Sequence, residues 1–310
     1  MDLQTFLNLP TQELAAHVRE RGLKVCVFPI NGTRRWYYLE HTPRPDEDLL
    51  DSYLSAVEQN HIALYKLIFD HGVDYLLTPV FGPDLMERGN EYTGMVAAGL
   101  TRLTSAEYFL KFFDEYEVRV RFYGDYRKYF ANTPYTFLIE LFEELAERTK
   151  SYNRHRLFMG LFAHDATESV AHLAVEYHRK HGRVPNRDTL IELYYGEYVP
   201  PVDVFIGFNE FCAFDMPLVA DGNEDLYFTV NPSPYLNAPQ LREIFYDRLH
   251  TRRSEADYSS LEAEEWERMR AFYQANLGKT QGIGARHPSG GYWYPRPQVI
   301  IPPGFDEMDS

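Results

Sequence analysis

Cysteine is nearly absent: Cys26 and Cys212 are the only two in 310 residues. Such a count supports neither a disulfide framework nor a cysteine-based zinc site. Positive charge is also in deficit. Lys and Arg number 31 against 46 Asp and Glu, a formal net charge of −15. That balance argues against a nucleic-acid binder or a membrane-surface binder, which needs a broad basic face. It leaves room for a small anionic substrate held by a local arginine cluster. No apolar run approaches the roughly 18 residues of a membrane span. The opening MDLQTFLNLP lacks the basic and apolar regions of a secretory signal. The expectation is a cytoplasmic protein with no membrane span and no nucleic-acid partner.

What is abundant is apolar and aromatic: 45% of residues are hydrophobic, with 24 Tyr, 21 Phe and 3 Trp. That suffices for one sizeable core. The reading is one catalytic domain over 1–310, with a helical extension at 1–22 and an extended Gly/Pro-rich tail at 278–310. Apolar runs at 24–29, 73–80, 118–123, 156–162, 202–206 and 226–230 read as strands. Helical spacing predicts helices over 11–21, from about 46 to 72, within 84–116, over 134–149, 165–181, 237–250 and 255–276. Strands alternating with helices imply an α/β fold with a mainly parallel sheet flanked by helices.

The most informative segment is FPINGTRRW, Phe28 to Trp36. A strand end, a glycine turn and adjacent Arg34 and Arg35 can gather backbone N–H groups and two guanidiniums around a diphosphate. Paired arginines after a turn are also common on solvated surfaces. Asp125, just past the third strand, reads as a helix cap or a site residue, with the cap favoured. Glu168 and His172 share a helix face at i,i+4, as metal ligands would, but no third ligand is evident and a structural role is favoured. Asn132, Thr136 and Glu140, and the run DEDLLD from Asp46 to Asp51, imitate the metal motifs of all-helical terpene synthases. The alternation of strands and helices argues against that class.

The order of segments resembles the cis-prenyltransferase (undecaprenyl diphosphate synthase-like) family. Its D-G-N-R-R-W turn is matched by Asn31-Gly32-Thr33-Arg34-Arg35-Trp36, its V-x-x-x-G-D segment by Val120 to Asp125, and its late E-L-Y-F by Asp225 to Phe228. Elongating members carry an arginine-rich segment for a second diphosphate. The matching stretch here, IGFNEFCAFD at 206–215, has no arginine, so chain elongation is not expected. The runs VFPINGTRRWYYLE, HGVDYLLTP, FYGDYRK, DATESVA, YYGEYV, FIGF and LYFTV resemble the tuberculosinol synthase, tuberculosinyl adenosine transferase and kolavelool synthase branch across nearly the whole chain.

That resemblance implies an enzyme that removes diphosphate from a bicyclic C20 allylic diphosphate and quenches the cation with water to give a diterpene alcohol. The alternatives are transfer to a nucleoside and a non-catalytic isoprenoid-diphosphate-binding subunit. It further implies a Mg²⁺ cofactor, a homodimer, and diphosphate binding by Gly32, Thr33, Arg34 and Arg35. Asn31, Tyr53 and Tyr92 take the catalytic positions. Asn31 occupies the family's metal-binding aspartate position, and Asp125 is a weaker metal candidate.

Overall fold

The computed structural model describes residues 1–303 apart from 43, 45, 83–88, 253–257 and 289–291. Two short helices open the chain, α1 (Leu3–Leu7) and α2 (Thr11–Glu20), followed by β1 (Val25–Val27), α3 (Thr33–Glu40) and α4 (Leu49–Asp70). Then come β2 (Tyr75–Phe81), α5 (Asn90–Ser105), α6 (Glu107–Glu115) and β3 (Val118–Tyr123). The middle of the chain gives α7 (Tyr126–Phe130), α8 (Phe137–Arg148), β4 (His155–Leu161), α9 (Thr167–His181) and α10 (Arg187–Tyr195). The last third holds β5 (Val204–Phe208), β6 (Asp225–Thr229), α11 (Ala238–Tyr246), α12 (Ala263–Ala275), β7 (Gly284–Arg286) and β8 (Trp293–Pro295).

Strands β1 to β6 form one sheet in the order β3-β4-β2-β1-β5-β6, every pairing parallel. The sequence dictates this. Val25, Cys26 and Val27 are fully buried, as expected of a central strand covered on both faces. One face packs Phe69, Phe112, Phe142 and Phe245 from α4, α6, α8 and α11. The other packs Tyr123, Phe158, Tyr195 and Phe205, closed by α10. After β1 the chain first builds the β2 side, and only β5 returns to pair with β1's other edge. The crevice beyond the strands' C-terminal ends at such a switch point is where open α/β sheets bind ligands.

Several elements depart from the sequence reading. The segment after Gly32 is a helix, α3, and α10 was not expected, while α7 starts just after Asp125, where a cap was read. The helix expected over 237–250 runs as α11 and then a π-helical turn, Asp247–Thr251. The tail is not simply extended: β7 and β8 pair antiparallel, and Trp293 meets Phe211 edge-on with ring centroids 6.0 Å apart. Val170, Leu173, Ala174 and Tyr177, which helical spacing places on one inward face of α9, are only half-buried. The expected helical stretches at 84–88 and 255–257, and tail residues 289–291 and 304–310, lie outside the described residues. Among the described residues no helix is long and apolar enough to cross a membrane.

Candidate active site

Gly32 ends the turn after β1 and caps α3 with φ +79° and ψ 15°. Only glycine adopts that left-handed conformation without strain. A Cβ there would also stand 2.9 Å from Phe208 and 3.0 Å from Pro232. Because glycine has no side chain, none caps the helix, and the N-terminus of α3, with its partial positive charge, opens onto this corner. The turn is braced from far along the chain. Asn31 N–H donates to Ser233 Oγ at 3.1 Å, Ser233 N–H donates to the Asn31 carbonyl at 3.0 Å, and Ser233 Oγ donates to the Pro29 carbonyl at 3.2 Å.

Helix α3 lies against α4 through two hydroxyl pairs about one turn apart. Thr33 Oγ1 and Tyr53 Oη are 2.8 Å apart, and Tyr37 Oη donates to Ser52 Oγ at 2.7 Å. Burial, partly offset by the Thr33 hydroxyl, raises the Tyr53 pKa above the ordinary phenol value. Tyr53 is therefore a neutral phenol near neutral pH.

Three adjoining cavities open from this corner. The outer one, about 650 Å³, sits where β1 and β5 end. Asn31, Gly32, Thr33, Arg34 and Arg35 line one side, and Phe208, Asn209, Glu210, Cys212 and Phe214 line the other. The Arg35 guanidinium lies 5.5 Å from the centre of the Phe208 ring. The middle cavity, about 400 Å³, is lined by Arg34, Tyr38, Leu49, Leu50, Tyr53, Tyr92 and Met95. The inner one, about 150 Å³, is walled by Leu54, Val57, Val80, Val96, Leu100, Leu103 and Phe109, with Glu58 and His61 among them. Tyr92 lines all three, and Tyr53 the inner two. The whole runs from a cationic mouth to an apolar interior.

The structure thus brings Asn31, Gly32, Thr33, Arg34, Arg35, Tyr53 and Tyr92 to one place. Asp125 does not join them. It follows β3, separated from β1 in the sheet by β4 and β2. Asp125 stands at the N-terminus of α7 without capping it, and its carboxylate takes the Ser169 hydroxyl instead. Asp225 begins β6, at the opposite end of the parallel sheet, and pairs with Arg248 at 2.7 Å. Glu168 pairs with Lys128 at 3.1 Å on the surface, and no group of three His, Cys, Asp or Glu suited to a metal occurs among the described residues. The DEDLLD run works as a cap: Asp48 accepts from the N–H groups of Leu50 and Asp51. Thr136 likewise precedes α8 and donates to the Phe130 carbonyl at 2.9 Å.

Glu210 was not singled out from the sequence. The segment 206–215 drew notice only for its missing arginines, yet it forms the wall facing the arginine pair. Its Glu210 carboxylate and the Asn31 and Asn209 amides give the outer cavity an all-oxygen donor set. That set suits a hard divalent ion sharing a diphosphate's oxygens, which needs few protein carboxylates.

No family model matches the chain. It is 40% identical over 292 residues to tuberculosinyl adenosine transferase of Mycobacterium tuberculosis, covering 93% of this chain and 96% of that protein. It is 23% identical over 303 residues to (+)-kolavelool synthase of Herpetosiphon aurantiacus, covering 96% of each. The fold is shared with a probable undecaprenyl diphosphate synthase from Campylobacter jejuni, with TM-score 0.55, 16% identity, and coverage of 75% of this chain and 98% of that one. It is shared equally with lavandulyl diphosphate synthase from Lavandula x intermedia, with TM-score 0.55, 12% identity, and coverage of 76% and 98%. The chain belongs to the family of tuberculosinyl adenosine transferase, enzymes of diterpene-related prenyl chemistry built on the cis-prenyltransferase fold.

Proposed function

We propose that this enzyme ionises a C20 allylic diphosphate at the Gly32–Arg35 turn and hands the cation to a nucleoside. The observation that carries the first half is the cavity's polarity. Two guanidiniums and a helix N-terminus stand at one end, and an aliphatic and aromatic chamber at the other. That arrangement suits an isoprenoid diphosphate. As the C–O bond breaks, its electron pair leaves with the diphosphate, and fixed positive charge stabilises the growing negative charge. The allylic cation is left beside Tyr53 and Tyr92, whose ring faces attract it. Mg²⁺ held by Asn31 and Glu210 against the diphosphate oxygens would supply further charge neutralisation when bound.

The sequence reading placed water first as the nucleophile. The 40% relative is a transferase to adenosine by name, which favours a nucleoside. The outer cavity supports this: at about 650 Å³, with Phe208 and Phe214 in its wall, it has room for a heterocycle beside the diphosphate. A nucleoside ring nitrogen gives its lone pair to the allylic carbon, and the product carries the positive charge or sheds an N–H proton. Water capture, the second reading, is favoured by the kolavelool synthase relative. It releases a proton to the departed diphosphate, since Tyr53 is already a protonated phenol and can orient the water but not keep its proton.

The test is incubation with C15 and C20 allylic diphosphates and Mg²⁺, with and without adenosine, and products read by mass spectrometry. A prenylated nucleoside is the expected product, and isopentenyl diphosphate should not be consumed. Arg35→Ala should lower turnover roughly 10²–10³-fold, the usual cost of one transition-state charge contact. Longer polyprenyl products, or unchanged kinetics in both Arg34→Ala and Arg35→Ala, would overturn the reading.

A further inference from the structure

The inner cavity is lined mostly by apolar side chains, with the hydroxyls of Thr33, Tyr53, Tyr65, Thr78 and Tyr92 among them, and α4 adds two ionisable groups, Glu58 and His61. Glu58 is 4% exposed. One of its carboxylate oxygens, Oε2, takes the Tyr108 hydroxyl and lies 3.5 Å from an Arg102 nitrogen. The other, Oε1, is buried without a hydrogen-bond partner among the described residues. His61 stands three residues on, on the same face of the helix. Its Nε2 is likewise buried and unpartnered among the described residues. Two such atoms in one hydrocarbon-lined chamber are costly to leave unsatisfied.

Their position along α4 says which part of a ligand they meet. At about 1.5 Å per residue, Glu58 lies roughly 7 Å and His61 roughly 12 Å along the helix from Tyr53. They are far from the bond that breaks and close to where the end of a C20 hydrocarbon would lie. Burial holds His61 neutral by lowering its pKa to about 4, so its ring presents one N–H and one lone pair rather than a cation. A hydroxyl is the group that satisfies both atoms together, donating to Glu58 Oε1 while accepting from His61 Nε2–H.

We infer that Glu58 and His61 form a specificity subsite for a hydroxyl group at the end of the isoprenoid remote from the diphosphate. The inference rests on the reading of the three cavities as an isoprenoid-diphosphate site. The enzyme's preferred substrate is then an oxygenated terpenyl diphosphate. The reaction that supplies it must place oxygen on the hydrocarbon end before the diphosphate is lost.

The test uses two unreactive ligands, the thiolo-diphosphates of geranylgeraniol and of ω-hydroxygeranylgeraniol, titrated calorimetrically into the full-length protein. The hydroxylated ligand should bind about tenfold more tightly, the return for one well-paired buried polar group. His61→Leu should abolish that preference while keeping or improving affinity for the unsubstituted ligand. Glu58→Gln, which keeps the side chain's shape beside Tyr108 and Arg102, should weaken the preference severalfold. Equal binding of both ligands to the unaltered protein would mean that the pair holds only water, and would overturn the inference. So would a preference that survives in both variants. If neither ligand binds the unaltered protein, the diphosphate site itself is wrong and the subsite falls with it.

Discussion

At the scale of single residues, Asn31 is the position where chemistry and sequence diverge most. A carboxylate there would bind a divalent ion more strongly than a neutral amide and would offset its charge. The backbone of Asn31 is fixed by Ser233 whatever the side chain, so aspartate fits without rebuilding the turn. Asn31→Asp should raise turnover about tenfold, equivalent to roughly 1.4 kcal/mol of transition-state stabilisation, and sharpen the dependence on Mg²⁺. The check is a pair of Mg²⁺ titrations on the two proteins with the same C20 diphosphate. Identical curves would assign the metal to Glu210 and the substrate alone. Glu210 and Glu58 show what the residue scale hides: a single glutamate carries no motif, and only folding reveals which cavity it faces.

At the scale of elements, the decisive one is α3. Its eight residues bury only Tyr37, so the stretch shows no apolar period from which a helix could be read. What holds it is specific: the Thr33–Tyr53 and Tyr37–Ser52 hydroxyl pairs and the left-handed Gly32 before it. Most of the strands were legible as near-continuous apolar runs, β3 instead as the alternating VRVRFY, and both ends of all six lie within two residues of the expected bounds. Helix α10 was legible in principle. Asn186 caps it through the Thr189 N–H, and Gly196 ends it at φ +82°, but nine residues give a short period that is easily passed over. The dependence of α3 on Gly32 gives a prediction. Gly32→Ala forces a side chain into a left-handed conformation, which costs roughly 1–2 kcal/mol, and pushes it against Phe208. Affinity for a C20 thiolo-diphosphate should fall about tenfold, while circular dichroism stays unchanged. Undiminished affinity would show that the backbone of this turn does not cradle the ligand.

At the scale of the whole molecule, stability is tied to pH through buried histidines. His155 is 1% exposed and stacked on Phe69 with ring centroids 4.4 Å apart. Burial, aided by neighbouring arginines, lowers its pKa to about 4, and burial lowers that of His61 equally far. An unfolded histidine titrates near 6.5, so below that pH the unfolded chain binds protons that the folded one refuses. The stabilisation is complete above pH 6.5 and is lost as pH falls toward 4, by roughly 3 kcal/mol for each histidine. His155→Phe keeps the ring on Phe69 and removes the titration. Urea unfolding at pH 7 and pH 4 should therefore show a smaller acid loss for this variant than for the parent, and equal losses would reject the assignment. The bracing of the Asn31 turn by Ser233 has another consequence, in time rather than energy. During synthesis the turn leaves the ribosome 202 residues before its brace. At roughly 5–20 residues per second that is an interval of about 10–40 s. For most of it β1 also lacks its β5 neighbour, which is completed only at Phe208. The nascent chain therefore spends most of its synthesis with its most buried strand half-paired, and the proposed diphosphate site is among the last features to form.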